Sequence, residues 1–235
     1  MVHNVKLGKN MRSVSIVGVG ATPFFNGVTN PQYKGLTNGE LFGYAALDAM
    51  KDAHVEPRDV QYFFHGSANP HVLNNCITPN LQVADWFGMR GKGSLSHSEG
   101  CCTGYIALEE AVFAVASGAY DVVLTGCCDQ GTGMPDGNTP DHMRTALTTE
   151  VLFPDLDSIF DRAYGRYLGG GPGMNHDDWI NFYAKENHLS AEQIDDVLNH
   201  QAYHFRRAAE LCPRAIRRTP YDKLAKDAGY DDVWE

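Results

Sequence analysis

Two adjacent cysteines stand between a short strand-like run and a long alanine-rich run in Ser98-Glu99-Gly100-Cys101-Cys102-Thr103-Gly104-Tyr105. A thiol in the first turn of a helix faces the positive end of the backbone dipole and unpaired N–H groups, and both favour thiolate over thiol. The same N–H groups can hold an oxyanion that develops on a carbonyl under attack. The chemistry on offer is nucleophilic: Cys101 attacks a carbonyl and carries the acyl group as a thioester, which is also a good leaving group. Cys102 points elsewhere on the helix and reads as a packing residue.

Other side chains with chemical potential carry weaker patterns. Cys127 and Cys128 lie at a strand end, so one should face the core and the other the opposite side; both read as packing thiols. His65 and His71 follow a strand, at the end of the sheet where α/β ligand sites gather. Local hydrogen bonding suits them better than contact with the thiol. His97 and Glu99 flank the cysteine turn, but spacing alone puts neither on the sulfur. His200 and His204 are four apart on one helix without an acidic third ligand, and with His142, His176 and His188 they read as surface histidines. Gly169-Gly170-Gly171-Pro172-Gly173 lacks the lysine and hydroxyl of a phosphate loop and reads as a turn. Arg206, Arg207, Arg214, Arg217 and Arg218 form either a phosphate fork or a salt-bridged surface. The adjacent cysteine pairs, with Cys76 and Cys212, do not have the spacing of a structural zinc site, and no metal is expected.

The elements that must position Cys101 follow from periodicity. Ser13-Val14-Ser15-Ile16-Val17-Gly18-Val19-Gly20 is β-branched and glycine-bounded, which predicts a buried strand. A helix is expected over 40–53, capped by Thr37 or Asn38, then a strand over 59–66 and a helix over 78–87. The run Gly93-Ser94-Leu95-Ser96-His97 is extended, and 106–116 is helical up to Ser117-Gly118. Asp121-Val122-Val123-Leu124-Thr125-Gly126 gives a further strand. Alternation of strand and helix predicts right-handed crossovers and a largely parallel sheet. After Asp129 the strand signal ends. Helices are then expected over 177–186 and from Ser190, whose capping box reaches Gln193, to about 209, where Cys212-Pro213 stops the run.

Composition bounds the partners. A hydrophobic fraction of 43% with 20% charged residues is that of a globular protein. A net charge of −10 disfavours nucleic acid or an anionic membrane surface as main partner. No apolar run is long enough to span a membrane, and Met1-Val2-His3-Asn4-Val5-Lys6 has no apolar signal core. The six cysteines make a poor disulfide framework, so a reducing cytoplasm is expected.

In order and spacing, several of these features resemble the N-terminal part of the thiolase superfamily, particularly the sterol-carrier-protein-2-type thiolases and acetyl-CoA acetyltransferases. They are Ile16-Val17-Gly18-Val19-Gly20-Ala21-Thr22-Pro23-Phe24, the turn Cys101-Cys102-Thr103-Gly104, and Ser117-Gly118-Ala119-Tyr120-Asp121-Val122-Val123-Leu124. Ser190-Ala191-Glu192-Gln193 and Ala208-Ala209-Glu210-Leu211-Cys212-Pro213-Arg214-Ala215 resemble the family's loop domain. The resemblance implies an α/β, thiolase-like layered fold with a mainly parallel sheet and helices on both faces, plus a loop and helical subdomain. Residues 1–129 would form the domain carrying the nucleophile, and 130–235 the subdomain.

By the same resemblance, Cys101 accepts an acyl group from acyl-CoA, in Claisen condensation or in thiolytic cleavage of a 3-oxoacyl-CoA. Coenzyme A thioesters of lipid or aromatic acids would be substrates, with no tightly bound cofactor. The family's activating histidine, second cysteine and Asn- or His-based oxyanion hole belong to a second half that is absent up to Glu235. A fragment, or a site completed by another polypeptide, is the expectation. A homodimer built around the sheet edge or a hetero-oligomer is implied, and some relatives work with a small zinc-ribbon partner. Gly126-Cys127-Cys128-Asp129 departs from the family's glycine pair before an acidic residue. Two other functions fit these residues: a non-catalytic assembly subunit, and a retro-aldol carbon–carbon lyase on the same fold.

Overall fold

The computed structural model describes residues 10–24, 36–68, 78–129 and 172–234. These fall into two units, one of 10–22 and 36–129, the other of 23–24 and 172–234. The change of character after Asp129, together with His71, Cys76, His142 and Gly169, Gly170 and Gly171, lies outside the described residues.

The first unit is built on three parallel strands, β1 (Tyr62–Gly66), β2 (Gly93–His97) and β3 (Val123–Cys127), in the order β2-β1-β3. Central β1 is buried on both faces, as its apolar run requires. Side chains alternate across a strand, and Phe63 and Phe64 show the consequence. Phe63 joins Phe42, Met50, Val60, Phe87, Met89 and Leu124 in the main core. Phe64 turns to the other face and packs with Ala107 and Ala111.

Helices cover both faces. Helix α1 (Asn38–Asp52) starts at a capping box in which Thr37 and Glu40 satisfy each other's backbone amides. It buries Leu41, Phe42, Ala46 and Met50, one apolar stripe at helical spacing. Helix α2 (Pro79–Val83) continues as a 3₁₀ turn over Ala84–Trp86 and lies on the same face, with Asn80 Nδ2 donating to Ser94 Oγ at 2.9 Å. Helix α3 (Thr103–Ala116) covers the opposite face with Ala107 and Ala111. Connections that share one hand but step in opposite directions across a sheet must leave on opposite faces. Accordingly α2 leads from β1 to β2 on one face, and α3 returns from β2 to β3 on the other.

The predicted strand at 13–20 is not formed. The segment has no strand ladder, and Ile16, Val17 and Val19 are 72%, 66% and 70% exposed. Its glycine face lies on α1: a Cβ at Gly18 would collide with the Ala49 carbonyl, and one at Gly20 with the Ala45 carbonyl. That contact leaves the β-branched side chains turned outward, and among the described residues no strand lies alongside to cover them. Arg12 anchors the segment, its guanidinium donating to the Val115 carbonyl at 2.8 and 3.0 Å and pairing with Asp121 at 2.6 Å.

The second unit contains α4 (Pro172–Glu186), α5 (Ala191–Leu211) and α6 (Tyr221–Ala228). The Ser190–Gln193 capping box starts α5 as the sequence predicts. Helix α6 has no counterpart in the expected elements. Its signals were Pro220 at the N-cap and Gly229 beyond the last turn at φ +90°, a backbone conformation that favours glycine.

Candidate active site

Strands β1 and β2 are neighbours whose outgoing helices lie on opposite faces, and ligand crevices in α/β sheets open at the carboxyl ends of such strands. Three stretches of chain meet at this edge: 65–68 after β1, 97–103 after β2, and 127–129 after β3. Cys101 lies in the second of them, so the topology puts it where a ligand site belongs.

Cys101 occupies a 3₁₀ turn, Gly100–Cys102, that leads directly into α3. It therefore precedes the α-helix instead of sitting inside its first turn. Gly100 starts the turn at φ +54°, where a side chain would be strained. Thr103 holds the turn closed. Its hydroxyl accepts the Glu99 amide at 2.8 Å and donates to the Gly100 carbonyl at 2.7 Å, and the residue is 1% exposed. Cys102 stands at the N-cap of α3 and makes no side-chain cap bond, so no side chain from that position covers the positive end of the helix.

Both cysteines of the turn are exposed. The expectation that Cys102 packs is therefore not met, because the N-cap position turns it outward as well. Accessibility does not separate the two thiols, which share one 3₁₀ turn.

The thiols at the end of β3 behave differently. Cys127 faces the α3 side, where its Sγ would lie 3.4 Å from a Cβ built on Gly66 and its Cβ 3.3 Å from one on Gly104. Cys128 packs against the main core on the other side. The opposite-face expectation for this pair holds. Desolvation of the sulfur, and then the Asp129 charge, pushes Cys127 up to about 11 although the residue as a whole is exposed. Burial and the same carboxylate push Cys128 up to about 12. Both are held as neutral thiols at neutral pH.

His65 is fully buried on the α1 side, its ring edge-on to Phe42 with centroids 4.7 Å apart. Neither ring nitrogen has a hydrogen-bond partner, and burial lowers its pKa to about 4. The local hydrogen-bonding role expected of it is absent, and it lies on the face opposite α3. His97 is on the α3 face, stacked on Phe64 at 6.1 Å with Nε2 buried and unpartnered.

Asp129 was given no role by the sequence pattern. Its carboxylate accepts the Ser67 hydroxyl at 2.6 Å and the Ala68 amide at 3.0 Å. The partners are about 60 residues away in sequence, and no local pattern marks such a pairing.

In the second unit three arginines of the cluster, Arg206, Arg207 and Arg218, are engaged with their own surface. Arg207 pairs with Glu210 at 3.0 Å, Arg218 donates to the Glu210 carbonyl at 3.3 Å, and Arg206 lies 4.6 Å over the Tyr221 ring. His200 and His204 are exposed, and His200 stacks on Trp234 at 4.6 Å. Among the described residues no three His, Cys, Asp or Glu side chains group as metal ligands, and no helix is long and apolar enough to cross a membrane.

No protein-family model matches the chain. Among curated proteins, it is 27% identical over 160 residues to the acetyl-CoA acetyltransferase of Methanothermobacter thermautotrophicus, covering 66% of this chain and 40% of that protein. It is 27% identical over 159 residues to the acetyl-CoA acetyltransferase of Methanocaldococcus jannaschii, covering 67% and 39%. The chain thus spans about two fifths of the length of the curated relatives it matches. Solved structures that align with part of it include an acetyl-CoA acetyltransferase from Syntrophomonas wolfei, at 22% identity and a TM-score of 0.41, covering 47% of this chain and 27% of that one. Another is 3-oxoacyl-[acyl-carrier-protein] synthase III from Aquifex aeolicus, at 17% identity and a TM-score of 0.40, covering 47% and 42%. A third is the priming β-ketosynthase of the R1128 polyketide pathway, at 16% and 0.41, covering 65% and 48%.

Proposed function

We propose, for a chain whose sequence kinship lies with the N-terminal half of the thiolase superfamily, that it is the nucleophile-bearing part of an acyl-CoA C-acyltransferase. The observation that carries this reading is the exposed Cys101 in the turn between β2 and α3, at the carboxyl edge of the sheet. The Cys101 sulfur attacks the thioester carbonyl, the coenzyme A thiolate leaves, and an acyl-cysteine remains. A carbanion then attacks that thioester in condensation. In the reverse direction the sulfur attacks a 3-oxoacyl-CoA and the carbon–carbon bond breaks.

The dipole of α3 supports the reading, because Cys101 lies just before its positive end, which favours the negative charge that passes from sulfur to carbonyl oxygen; the Cys102 and Thr103 amides themselves are bonded to the Glu99 and Gly100 carbonyls. The raised thiols of Cys127 and Cys128 leave neither poised to ionise at neutral pH. Proton transfers fall to groups outside the described residues, in further sequence or in a partner chain. A homodimer across the sheet edge, or a hetero-oligomer with a zinc-ribbon partner, belongs to the same proposal, as does a cytoplasmic location. Coenzyme A thioesters are substrates here, and no resident cofactor is invoked.

Incubation with radiolabelled acyl-CoA, followed by peptide mapping, tests the reading. Label on the peptide carrying Cys101, lost in Cys101→Ala, is expected. Turnover that survives Cys101→Ser in an active assembly would instead make the chain a scaffold, and turnover that survives thiol alkylation would point to the retro-aldol lyase.

A further inference from the structure

We propose that Asp129 is a positioning residue for the nucleophile turn, acting through Ser67, Ala68 and Ser98. Its catalytic consequence rests on the acyl-cysteine reading; the positioning itself does not. The Asp129 carboxylate takes the Ser67 hydroxyl at 2.6 Å and the Ala68 amide at 3.0 and 3.2 Å. Ser67 is fully buried, so its hydroxyl has no water to turn to. An ionised acceptor makes such bonds about twice as strong as neutral ones.

The tether continues to the cysteine turn. The Ala68 carbonyl accepts Ser98 Oγ at 3.0 Å, and the Ser67 amide donates to the His97 carbonyl at 3.1 Å. Beyond Ser98, the Glu99 amide and the Gly100 carbonyl are held by Thr103. The turn is therefore fixed at one end by its own helix and at the other by the sheet. Asp129 ties the 67–68 loop to the chain that leaves β3, next to the Cys128 amide, which donates to the Gly66 carbonyl at 3.0 Å. Cys101 makes none of these bonds, which is why the role is positioning. A misplacement of about 1 Å at a reacting atom can cost on the order of a hundredfold in rate.

Asp129→Asn removes the charge and leaves one oxygen for both donors: with the amide oxygen at Oδ1, Ser67 and Ala68 keep neutral bonds at 2.6 and 3.2 Å, and the 3.0 Å bond from the Ala68 amide to the second oxygen is lost. Asp129→Glu keeps the carboxylate on a longer arm, and Ser67→Ala removes only the hydroxyl. Two readouts on the full chain decide the matter: amide hydrogen exchange in the peptide covering 97–102, and the rate of acetyl transfer from acetyl-CoA to Cys101. In Asp129→Asn, exchange at 97–102 should speed up about tenfold, while peptides from α5 exchange as in the parent. The limiting acetylation rate should fall about tenfold or more with the half-saturating acetyl-CoA concentration little changed, and Asp129→Glu should recover part of it.

Exchange equal to the parent in both Asp129→Asn and Ser67→Ala overturns the proposal. Faster exchange with undiminished acetylation overturns it too. If Asp129→Asn does not fold, Ser67→Ala carries the comparison. A parent that takes up no acetyl group sinks the acyl-cysteine reading on its own, and the exchange arm then still decides whether Asp129 positions the turn.

Discussion

The buried hydroxyl of Thr103 donates to the carbonyl of Gly100 at 2.7 Å and so closes the turn that holds Cys101. Because the same oxygen accepts the Glu99 amide, one side chain satisfies two backbone groups. Thr103→Val keeps the shape and deletes both bonds, at an expected cost of roughly 1–3 kcal/mol. Thr103→Ser should retain most of that stability. Urea midpoints of the three proteins check this, and equal midpoints for parent and Thr103→Val would refute it.

His65 makes stability depend on acid. Its pKa is about 4 when folded against 6.5 for the free side chain, so between those values the unfolded chain binds a proton that the folded one does not. This contribution is fully present above pH 6.5, falls as the pH drops, and is lost by about pH 4. The pKa difference corresponds to a total of roughly 3 kcal/mol. His65→Phe should be no less stable than the parent at pH 5 and should show a shallower decline from pH 7 to pH 5. Denaturant titrations at the two pH values measure this, and parallel declines in both proteins would contradict it.

Thiol reactivity should divide by environment. Cys128 is pushed up to about 12 and packs against the main core, whereas Cys101 is exposed. Limited iodoacetamide at pH 8, read by peptide mapping, should modify Cys101 at least about tenfold faster than Cys128. Comparable rates would mean that the end of β3 opens more readily than its packing implies.

Arg12 should act as a helix cap supplied from a distance. It donates to the Val115 carbonyl in the last turn of α3, and a cation there also suits the negative end of the helix dipole. Arg12→Met should cost about 1 kcal/mol in thermal or denaturant unfolding, with Arg12→Lys recovering part of it. No change on Arg12→Met would leave the anchor without energetic weight.

Local chemistry was legible in the sequence, and pairings across the chain were not. The β2 run was read with its structural bounds, Thr37 or Asn38 as a cap announced α1, the Ser190–Gln193 capping box announced α5, and the alanine-rich stretch after Cys101 formed α3. Each depends on residues within one or two turns of one another. The β-branched run at 13–20 reads as a strand by composition, but a strand requires a neighbour that the run itself does not specify. The side taken by His65 was within reach, since it stands two residues after Phe63 on the same strand and so shares its face. The lack of partners for its ring nitrogens was not, because nothing in the pattern says what α1 presents to it. The Asp129–Ser67 bond joins residues brought together only by the parallel pairing of β1 and β3.

The central claim is that Cys101 takes up an acyl group. Its most direct test is mass spectrometry of the chain after incubation with acetyl-CoA, with the modified peptide sequenced and the adduct challenged with hydroxylamine. The account predicts a single hydroxylamine-labile acetyl group on Cys101, absent from Cys101→Ala and retained in Cys102→Ala. No adduct, or an adduct on Cys102 that persists in Cys101→Ala, would contradict it.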